Sequence, residues 1–270
     1  DYALFARCYG LDRAANFEGR WYPHTYRTVA QLAEETARSE EDIRQTLERA
    51  RRQLLQRRSQ RIRPGTDDKV LTSWNALMIR GMLIAARALE RPDYAESAMQ
   101  ALAFLHQQMW QDHRLLASWK DGKASLNAYL DDYAYLLLAV IEALQTIWDN
   151  DLFEWCRELA DSLIERFANE QSGGFYFTSH DHEQLIMRSQ AFNDDAMPSG
   201  NAIAAQALYY LGFLTAETRY LDYAERSLDA ASMQLAQQPM AYAAMFNALD
   251  IRLHSATIIV LRGPVEQMQQ

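Results

Sequence analysis

The chain has 270 residues, of which 49% are hydrophobic and 23% are charged, and its formal net charge is −9. This composition is typical of a globular protein with a large core and excludes a chain that is disordered throughout. The negative charge argues against nucleic acid as a partner. The longest uninterrupted apolar run, residues 136–141, is too short to span a bilayer, so we expect no membrane insertion.

Two cysteines, Cys8 and Cys156, lie far apart and match neither a zinc-binding pattern nor a disulfide framework. We therefore expect a reducing, cytoplasmic compartment. His180 and His182 have a spacing that suits a metal, but the sequence offers no third ligand beside them. It also contains no glycine-rich phosphate loop and no nucleophile elbow. We accordingly predict neither a metal nor a cofactor.

The amino-terminal residues 1–23 follow no regular pattern, whereas residues 28–58 are predicted to form two helices. Eight arginines lie between residues 44 and 63, where they alternate with acidic and amide side chains at helical spacing. This spacing indicates a solvated helix face, and a partner-binding face is the alternative.

Six further helices are predicted in three pairs. The first member of each pair is apolar on nearly all sides and must be surrounded by protein; these members are residues 74–89, 133–148 and 201–214. The second member carries one apolar stripe and follows after a short break; these members are residues 93–110, 151–167 and 219–235. Short connections make paired helices antiparallel. Buried helices inside a ring of half-exposed helices predict an all-α, (α/α)6-type toroid.

Three shorter features accompany these pairs. Residues 173–187 contain two glycines, an aromatic run and a polar turn, which predict a short β-hairpin. Residues 240–253 predict another helix, and residues 256–261 predict a strand. Because no segment has the composition of a linker, we expect a single domain over residues 1–270.

An acidic pair precedes or opens each buried helix, at residues 67–68, 131–132 and 194–195. The buried helices of a toroid run parallel, so their amino-terminal ends meet at one mouth. Thr72, Asp131 and Ser199 are the expected caps, because side-chain oxygens at a helix start satisfy free backbone N–H groups. Capping needs one residue per helix, however, and leaves the other polar and aromatic residues of these motifs without a role.

Those other residues favour a carbohydrate pocket. Carboxylates and amides bind sugar hydroxyls, aromatic faces cover the apolar side of a sugar ring, and two carboxylates can act as acid and base in glycoside cleavage. The catalytic candidates are Asp68, Asp132 and Asp195, and the ligand-binding candidates are Trp74, Asn75, Tyr133, Ser199 and Asn201. The alternative is a non-catalytic scaffold whose motifs serve a protein partner.

Five segments, residues 68–79, 130–134, 195–201, 16–19 and 173–175, resemble the bacterial and animal family named for the spermatogenesis-associated, thioredoxin-domain-containing protein. Members of that family join an amino-terminal thioredoxin-like domain to a six-hairpin glycosidase-like toroid. The resemblance covers residues 9–261 and implies only the toroid part of these proteins. The chain has no thioredoxin cysteine motif. We therefore expect the chain to belong to a longer protein, in which a thioredoxin-like domain is its partner.

The same resemblance implies a fold shared with glycoside hydrolases and with epimerases of N-acylglucosamine and cellobiose. Those epimerases depend on paired histidines inside the barrel, and the buried helices of this chain carry none. Saccharide binding or hydrolysis is therefore the preferred expectation over epimerisation.

Overall fold

A computed structural model describes residues 1–183 and 186–254 of the chain. It divides into two compact units, Asp1–Asp67 and Asp68–Gln270. The single domain over residues 1–270 stays a prediction.

The first unit contains three helices, α1 (Tyr2–Tyr9), α2 (Val29–Thr36) and α3 (Glu40–Ser59). The prediction of an irregular amino terminus was therefore wrong for α1. Leu4 and Cys8 lie one helical turn apart and are buried in a small core that α2 and α3 complete. Eight residues are too few for a clear periodicity, so the burial against α3 stabilises a helix that its own pattern does not reveal.

The second unit contains three antiparallel helical hairpins in the described residues. They are α4 (Thr72–Ala88) with α5 (Pro92–Met109), α6 (Leu130–Thr146) with α7 (Asn150–Phe167), and α8 (Gly200–Thr215) with α9 (Thr218–Gln237). A 3-10 turn, Pro239–Ala241, leads into α10 (Ala243–Leu253). The predicted all-α architecture of repeated hairpins is thereby confirmed.

The first helices of the hairpins pack side by side. Helix α4 contacts α6, α6 contacts α8, and α8 contacts α10. Every residue of α6 from Asp132 to Leu144 is buried, and α8 is buried from Gly200 to Tyr209. By contrast, α5, α7 and α9 each bury one stripe. Helix α4 also buries one stripe and exposes Trp74 and Met78, so the prediction that residues 74–89 are surrounded by protein was wrong. Burial on all sides matches the apolar composition of α6 and α8, as expected for an inner ring.

A small antiparallel sheet fills the connection between the first two hairpins. Strand β3 (Arg114–Lys120) pairs with β1 (Val70–Leu71), β2 (Trp110–Gln111) and β4 (Lys123–Asn127). The sheet places the start of α4 beside β3, and its last strand ends two residues before α6 begins. It therefore fixes the entry of two inner helices.

The prediction of a β-hairpin at residues 173–187 was wrong. The described residues there form no strand beyond an isolated bridge between Ala168 and Phe175. The side chain of Asn201 occupies the place of a partner strand. Its Oδ1 accepts from the N–H of Phe175 at 2.7 Å, and its Nδ2 donates to the Phe175 carbonyl at 2.9 Å. The strand predicted at residues 256–261 lies outside the described residues.

Within the part of the chain that the structure describes, no helix has both the length and the apolar character needed to cross a bilayer.

Candidate functional site

A pocket of about 380 Å³ lies at the amino-terminal ends of α6 and α8. The start of α6 contributes Leu130 and Asp131, and the irregular segment after α7 contributes Phe177, Ser189 and Ala191. Asn193 and residues 195–201 form the remaining wall. Tyr135 of α6 donates a hydrogen bond to the carbonyl of Pro198. This bond ties the wall before α8 to the adjacent inner helix.

Asp131 is a partly buried carboxylate in this pocket. Burial, and to a smaller extent the charge of Asp132, raise its pKa to about 6. Among the described residues, no N–H or O–H group donates a hydrogen bond to it. A Cβ atom at Gly200 would overlap its Oδ1, so the close approach of α8 depends on glycine. A carboxyl group with this pKa can donate or accept a proton near neutral pH.

Asp132, the predicted catalytic residue, is buried and serves two helices at once. Its Oδ1 accepts from the N–H of Ser73 in α4 at 2.9 Å, and its Oδ2 accepts from the N–H of Tyr129 before α6 at 2.9 Å. Burial raises its pKa, and these hydrogen bonds act in the opposite direction. It does not line the pocket. The geometry thus gives Asp132 the capping role that the sequence suggested for Asp131.

The other expected caps also differ. Thr72 is buried, and its hydroxyl donates to the Leu116 carbonyl at 2.6 Å. Ser199 precedes α8, but its side chain makes no cap hydrogen bond there; its Oγ donates to the Ala191 carbonyl at 3.1 Å. Those two cap predictions were wrong, because both hydroxyls bond to carbonyl groups of neighbouring segments.

The third acidic pair is divided between a structural and a pocket position. Asp194 accepts from the N–H of Ser199 at 2.9 Å and from the N–H of Ala244 at 2.8 Å, so it joins the starts of α8 and α10. Asp195 is exposed and lines the pocket beside Asp131's helix. Of the three predicted catalytic carboxylates, Asp195 is therefore the one that the structure brings to the pocket.

Asp68 lies elsewhere on the surface. Its carboxylate is 3.0 Å from Nζ of Lys120, and that contact holds the pKa of Asp68 below its usual range. It is absent from the pocket wall in the described part of the chain. The predicted meeting of Asp68, Asp132 and Asp195 around one cavity does not occur.

The predicted ligand-binding residues separate in the same way. Trp74 is 61% exposed outside the pocket, and Asn75 donates from Nδ2 to the Leu71 carbonyl at 2.8 Å. Tyr133 is a core residue, 1% exposed, whose hydroxyl accepts from the N–H of Leu115 at 2.9 Å. None of these three side chains lines the pocket.

Ser199 and Asn201 do line the pocket, but their polar atoms hold the wall together. Beyond its two bonds to Phe175, Asn201 donates to the Ala191 carbonyl at 3.0 Å and is 1% exposed. Sequence reasoning missed Asp131 as a pocket group and Phe177 altogether. A capping box joins the cap residue to the third helical position. Once the structure fixes Tyr129 as the cap, Asp132 takes that position and the carboxylate of Asp131 is left for the pocket.

No group of three His, Cys, Asp or Glu side chains within residues 1–183 and 186–254 is arranged to hold a metal ion.

No protein-family model matches the chain. Spermatogenesis-associated protein 20 of Homo sapiens is 25% identical over 281 residues, which covers 96% of this chain and 36% of that protein. An uncharacterized protein of Caenorhabditis elegans is 25% identical over 236 residues, covering 84% of this chain and 32% of that protein. The chain thus spans about a third of the length of these curated relatives. The resemblance inferred from the motifs is confirmed: the chain is a homologue of proteins named spermatogenesis-associated protein 20.

Solved structures with the same architecture are glycosidases and epimerases. A GH76 α-mannanase of Bacteroides thetaiotaomicron matches with a TM-score of 0.56 and 13% identity, over 72% of this chain and 56% of that one. Cellobiose 2-epimerase of Bacillus thermoamylovorans matches with a TM-score of 0.51 and 11% identity, over 62% and 45%. An inactive α-1,6-mannanase variant of Salegentibacter, in complex with α-1,6-mannotriose, matches with a TM-score of 0.50 and 17% identity, over 75% and 57%. The predicted six-hairpin glycosidase-like toroid is therefore confirmed as the fold, and it is a fold that carbohydrate-processing enzymes use.

Proposed function

We propose that the pocket at the starts of α6 and α8 binds a saccharide, with Asp131 as its proton-donating and proton-accepting group and Asp195 as a second carboxylate. The observation that carries this proposal is Asp131 itself. It is a partly buried acid with a pKa of about 6, it lines a pocket of about 380 Å³, and no group of the described chain donates a hydrogen bond to it. Pockets of this size suit small ligands.

The chemistry of the pair fits a glycoside. Sugar hydroxyls are donors that can satisfy the carboxylates of Asp131 and Asp195. Below its pKa, Asp131 is protonated and can deliver a proton to a glycosidic oxygen, and Asp195 is the second acidic side chain of the same pocket. Burial of the acid in a partly apolar pocket, beside Leu130 and Phe177, is the usual physical means of raising a catalytic pKa.

The structural neighbours support mannosides as the first probes. The Salegentibacter α-1,6-mannanase is described as inactive when two consecutive aspartates are replaced, and it holds α-1,6-mannotriose or α-1,6-mannotetrose in those variants. Two consecutive aspartates, Asp131 and Asp132, also open α6 of this chain. Cellobiose and D-mannose are further probes, because an epimerase and an isomerase of those sugars share the fold.

A second candidate function is a non-catalytic scaffold that binds another protein, such as a thioredoxin-like domain. It is favoured by the internal use of most motif side chains. Asp132 and Asp194 each accept two backbone N–H groups, and Asn201 is fully engaged by Phe175 and Ala191. Under this alternative, the motifs stabilise the fold and the pocket binds no saccharide.

Thermal unfolding and calorimetry with α-1,6-mannotriose, D-mannose and cellobiose distinguish the two. Binding to the native state raises the melting temperature. We expect such a rise for the chain and for Asp68→Asn, which changes an exposed carboxylate outside the pocket. Asp131→Asn should weaken binding by about tenfold, since each lost charge-assisted bond contributes roughly 1.5 kcal/mol. Equal binding by both variants would show that the sugar does not contact Asp131 and would overturn the proposed site. No binding of any of the three sugars would favour the scaffold.

A further inference from the structure

Phe177 is the one aromatic side chain among the pocket-lining residues that the structure describes. It is 37% exposed, which is unusual for a phenylalanine on a largely buried segment. The remaining wall consists of Asp131 and Asp195, of small or apolar residues, and of the polar residues Ser189, Asn193, Ser199 and Asn201. The pocket therefore combines two carboxylates with a single accessible aromatic ring.

The backbone of Phe177 is fixed directly beside Asp131. Its N–H donates to the Ser189 carbonyl at 2.8 Å, and its carbonyl accepts from the N–H of Leu130 at 3.0 Å. Leu130 precedes Asp131 at the first turn of α6. Because both backbone groups are engaged, the ring has a defined position relative to the carboxylate of Asp131.

The ring is also supported on one face. Tyr129 stacks on Phe177 with ring centroids 4.9 Å apart and an interplanar angle of 14°. His182 stacks on Tyr129 in turn, at 5.2 Å and 26°. Nearly parallel stacking of three rings immobilises the outermost one. Tyr129 covers one face of Phe177, so the exposed surface of Phe177 belongs to its opposite face and its edge.

We infer that Phe177 is the platform on which a pyranose ring of the bound saccharide packs, an inference that rests on the proposed function. One side of a pyranose carries C–H groups and buries favourably against an aromatic face. The hydroxyls around the ring then remain available to Asp131 and Asp195. A rigid platform loses little conformational entropy on binding, which favours affinity. This role replaces the one predicted for Trp74 and Tyr133, which lie outside the pocket.

Calorimetric titration of the full chain with α-1,6-mannotriose and with cellobiose tests this platform. Phe177→Leu keeps an apolar side chain but removes the ring, and it should weaken binding by about five- to tenfold, the range of a single aromatic contact. Phe177→Tyr keeps the ring and should bind as the unaltered chain does. Phe246→Leu is the matched control, because Phe246 is 39% exposed on α10 and does not line the pocket; its affinity should be unchanged.

A measurement on the unaltered chain protects the test against misfolding of Phe177→Leu. Saturation-transfer NMR with selective irradiation of aromatic protons should label the ring C–H protons of the bound saccharide most strongly. If Phe177→Leu is folded and binds both sugars with unchanged affinity while Asp131→Asn binds them more weakly, the platform is wrong and the proposed function stands. If neither sugar binds the unaltered chain, the proposed function fails and the platform fails with it. Absence of saccharide labelling on aromatic irradiation, with binding intact, also overturns the platform.

Discussion

Asp131 and Asp132 are consecutive residues of α6 with different electrostatic surroundings. Asp131 has no hydrogen-bond donor in the described chain, and burial raises its pKa to about 6. Asp132 accepts two backbone N–H groups from the starts of two helices. Replacing each acid should therefore change the free energy of unfolding in opposite directions at neutral pH.

Asp131→Asn should stabilise the folded chain above pH 6. In the unfolded chain, an aspartate ionises near pH 4, whereas folded Asp131 stays protonated until about pH 6. The protonated form of Asp131 therefore contributes fully to the stability of the folded chain below pH 4, and this contribution is lost as pH rises to 6. The Asp131→Asn variant has no carboxyl group to titrate at this position. Its free energy of unfolding should therefore exceed that of the unaltered chain by near zero at pH 4 and by about 2–3 kcal/mol above pH 6.

Urea unfolding of the chain and of Asp131→Asn at pH 4.5, 5.5 and 7.5 measures that advantage. Asp68→Asn is the control without a pH dependence over this range, because the contact with Lys120 lowers the pKa of Asp68 and its carboxylate is largely ionised in both the folded and the unfolded chain at all three pH values. An advantage of Asp131→Asn that is independent of pH would show that the carboxyl group titrates at its ordinary pKa.

Asp132→Ala should destabilise the chain by about 2–4 kcal/mol, because it leaves the N–H groups of the half-buried residues Ser73 and Tyr129 without acceptors. Asp149→Ala is the control for an ordinary cap. Asp149 is exposed and accepts one N–H, from Leu152 at 2.7 Å, so its loss should cost about 1 kcal/mol. Equal costs in urea unfolding at pH 7.5 would show that Asp132 does not couple α4 to α6.

Sequence reasoning found the three acidic motifs but assigned their helix caps wrongly, and the reason is physical. Either aspartate of a consecutive pair can cap the helix that it opens, and composition does not distinguish them. The choice depends on the cap position, which here is Tyr129 and not an aspartate. The second carboxylate of each pair does not cap the helix. Whether it lies near the carboxylates of the other pairs depends on the rotation of each helix about its axis, which no local sequence pattern encodes. Asp68 precedes β1 and does not lie on a helix; its carboxylate contacts Nζ of Lys120 on β3 and does not line the pocket.

At the scale of elements, long helices were predictable and short irregular elements were not. The buried helices α6 and α8 are apolar on all sides, and that composition identifies them from the sequence. The segment after α7 has the aromatic alternation of a strand, yet the amide of Asn201 bonds both backbone groups of Phe175. A side chain 26 residues away thus takes the place of a partner strand. The local sequence pattern of residues 173–187 cannot predict this contact.

That segment turns at Gly173, which should tolerate no side chain. Its φ is 78°, and an added Cβ would overlap the backbone carbonyl of Arg226 on α9. Gly122, in the β3–β4 turn, has the same φ of 78° but has open space around it. Gly122→Ala should therefore cost about 1 kcal/mol from backbone strain alone. Gly173→Ala should cost about 2–3 kcal/mol more, since backbone in a packed region cannot move away freely.

Thermal and urea unfolding of the two alanine variants provide this comparison. Circular dichroism should show that both retain the helical content of the unaltered chain below the transition. If Gly173→Ala and Gly122→Ala are equally destabilised, the segment after α7 can shift away from α9. In that case the wall of the pocket that includes Phe177 is less rigid than its contacts suggest.

At the scale of the whole molecule, burial is distributed very unevenly. Helices α6 and α8 are enclosed by protein, whereas every residue from Arg51 to the end of α3, and on to residue 69, is exposed. The sequence predicted a solvated arginine-rich helix face there, and the exposure agrees with that interpretation. Exposure on all sides of a helix leaves little packing to stabilise it, so the local free energy of opening should be small.

Limited digestion with trypsin should therefore begin at Arg57, Arg58 or Arg61, whereas the bond after Arg63 resists trypsin because Pro64 follows it. Cleavage in the native state needs local opening, and its rate follows the population of the open form. Arg80 and Arg87 of α4 are the internal comparison. Both lie within 4 Å of Glu142 of α6, so cleavage at either requires separation of two packed inner helices. Mass spectrometry of early products should show that cleavage between residues 57 and 63 is at least tenfold faster than cleavage in α4. This ratio of rates corresponds to about 1.4 kcal/mol of additional free energy for opening α4. Simultaneous cleavage at both places would mean that α4 opens as readily as the exposed end of α3, and that the ion pairs with Glu142 add no protection to the inner ring.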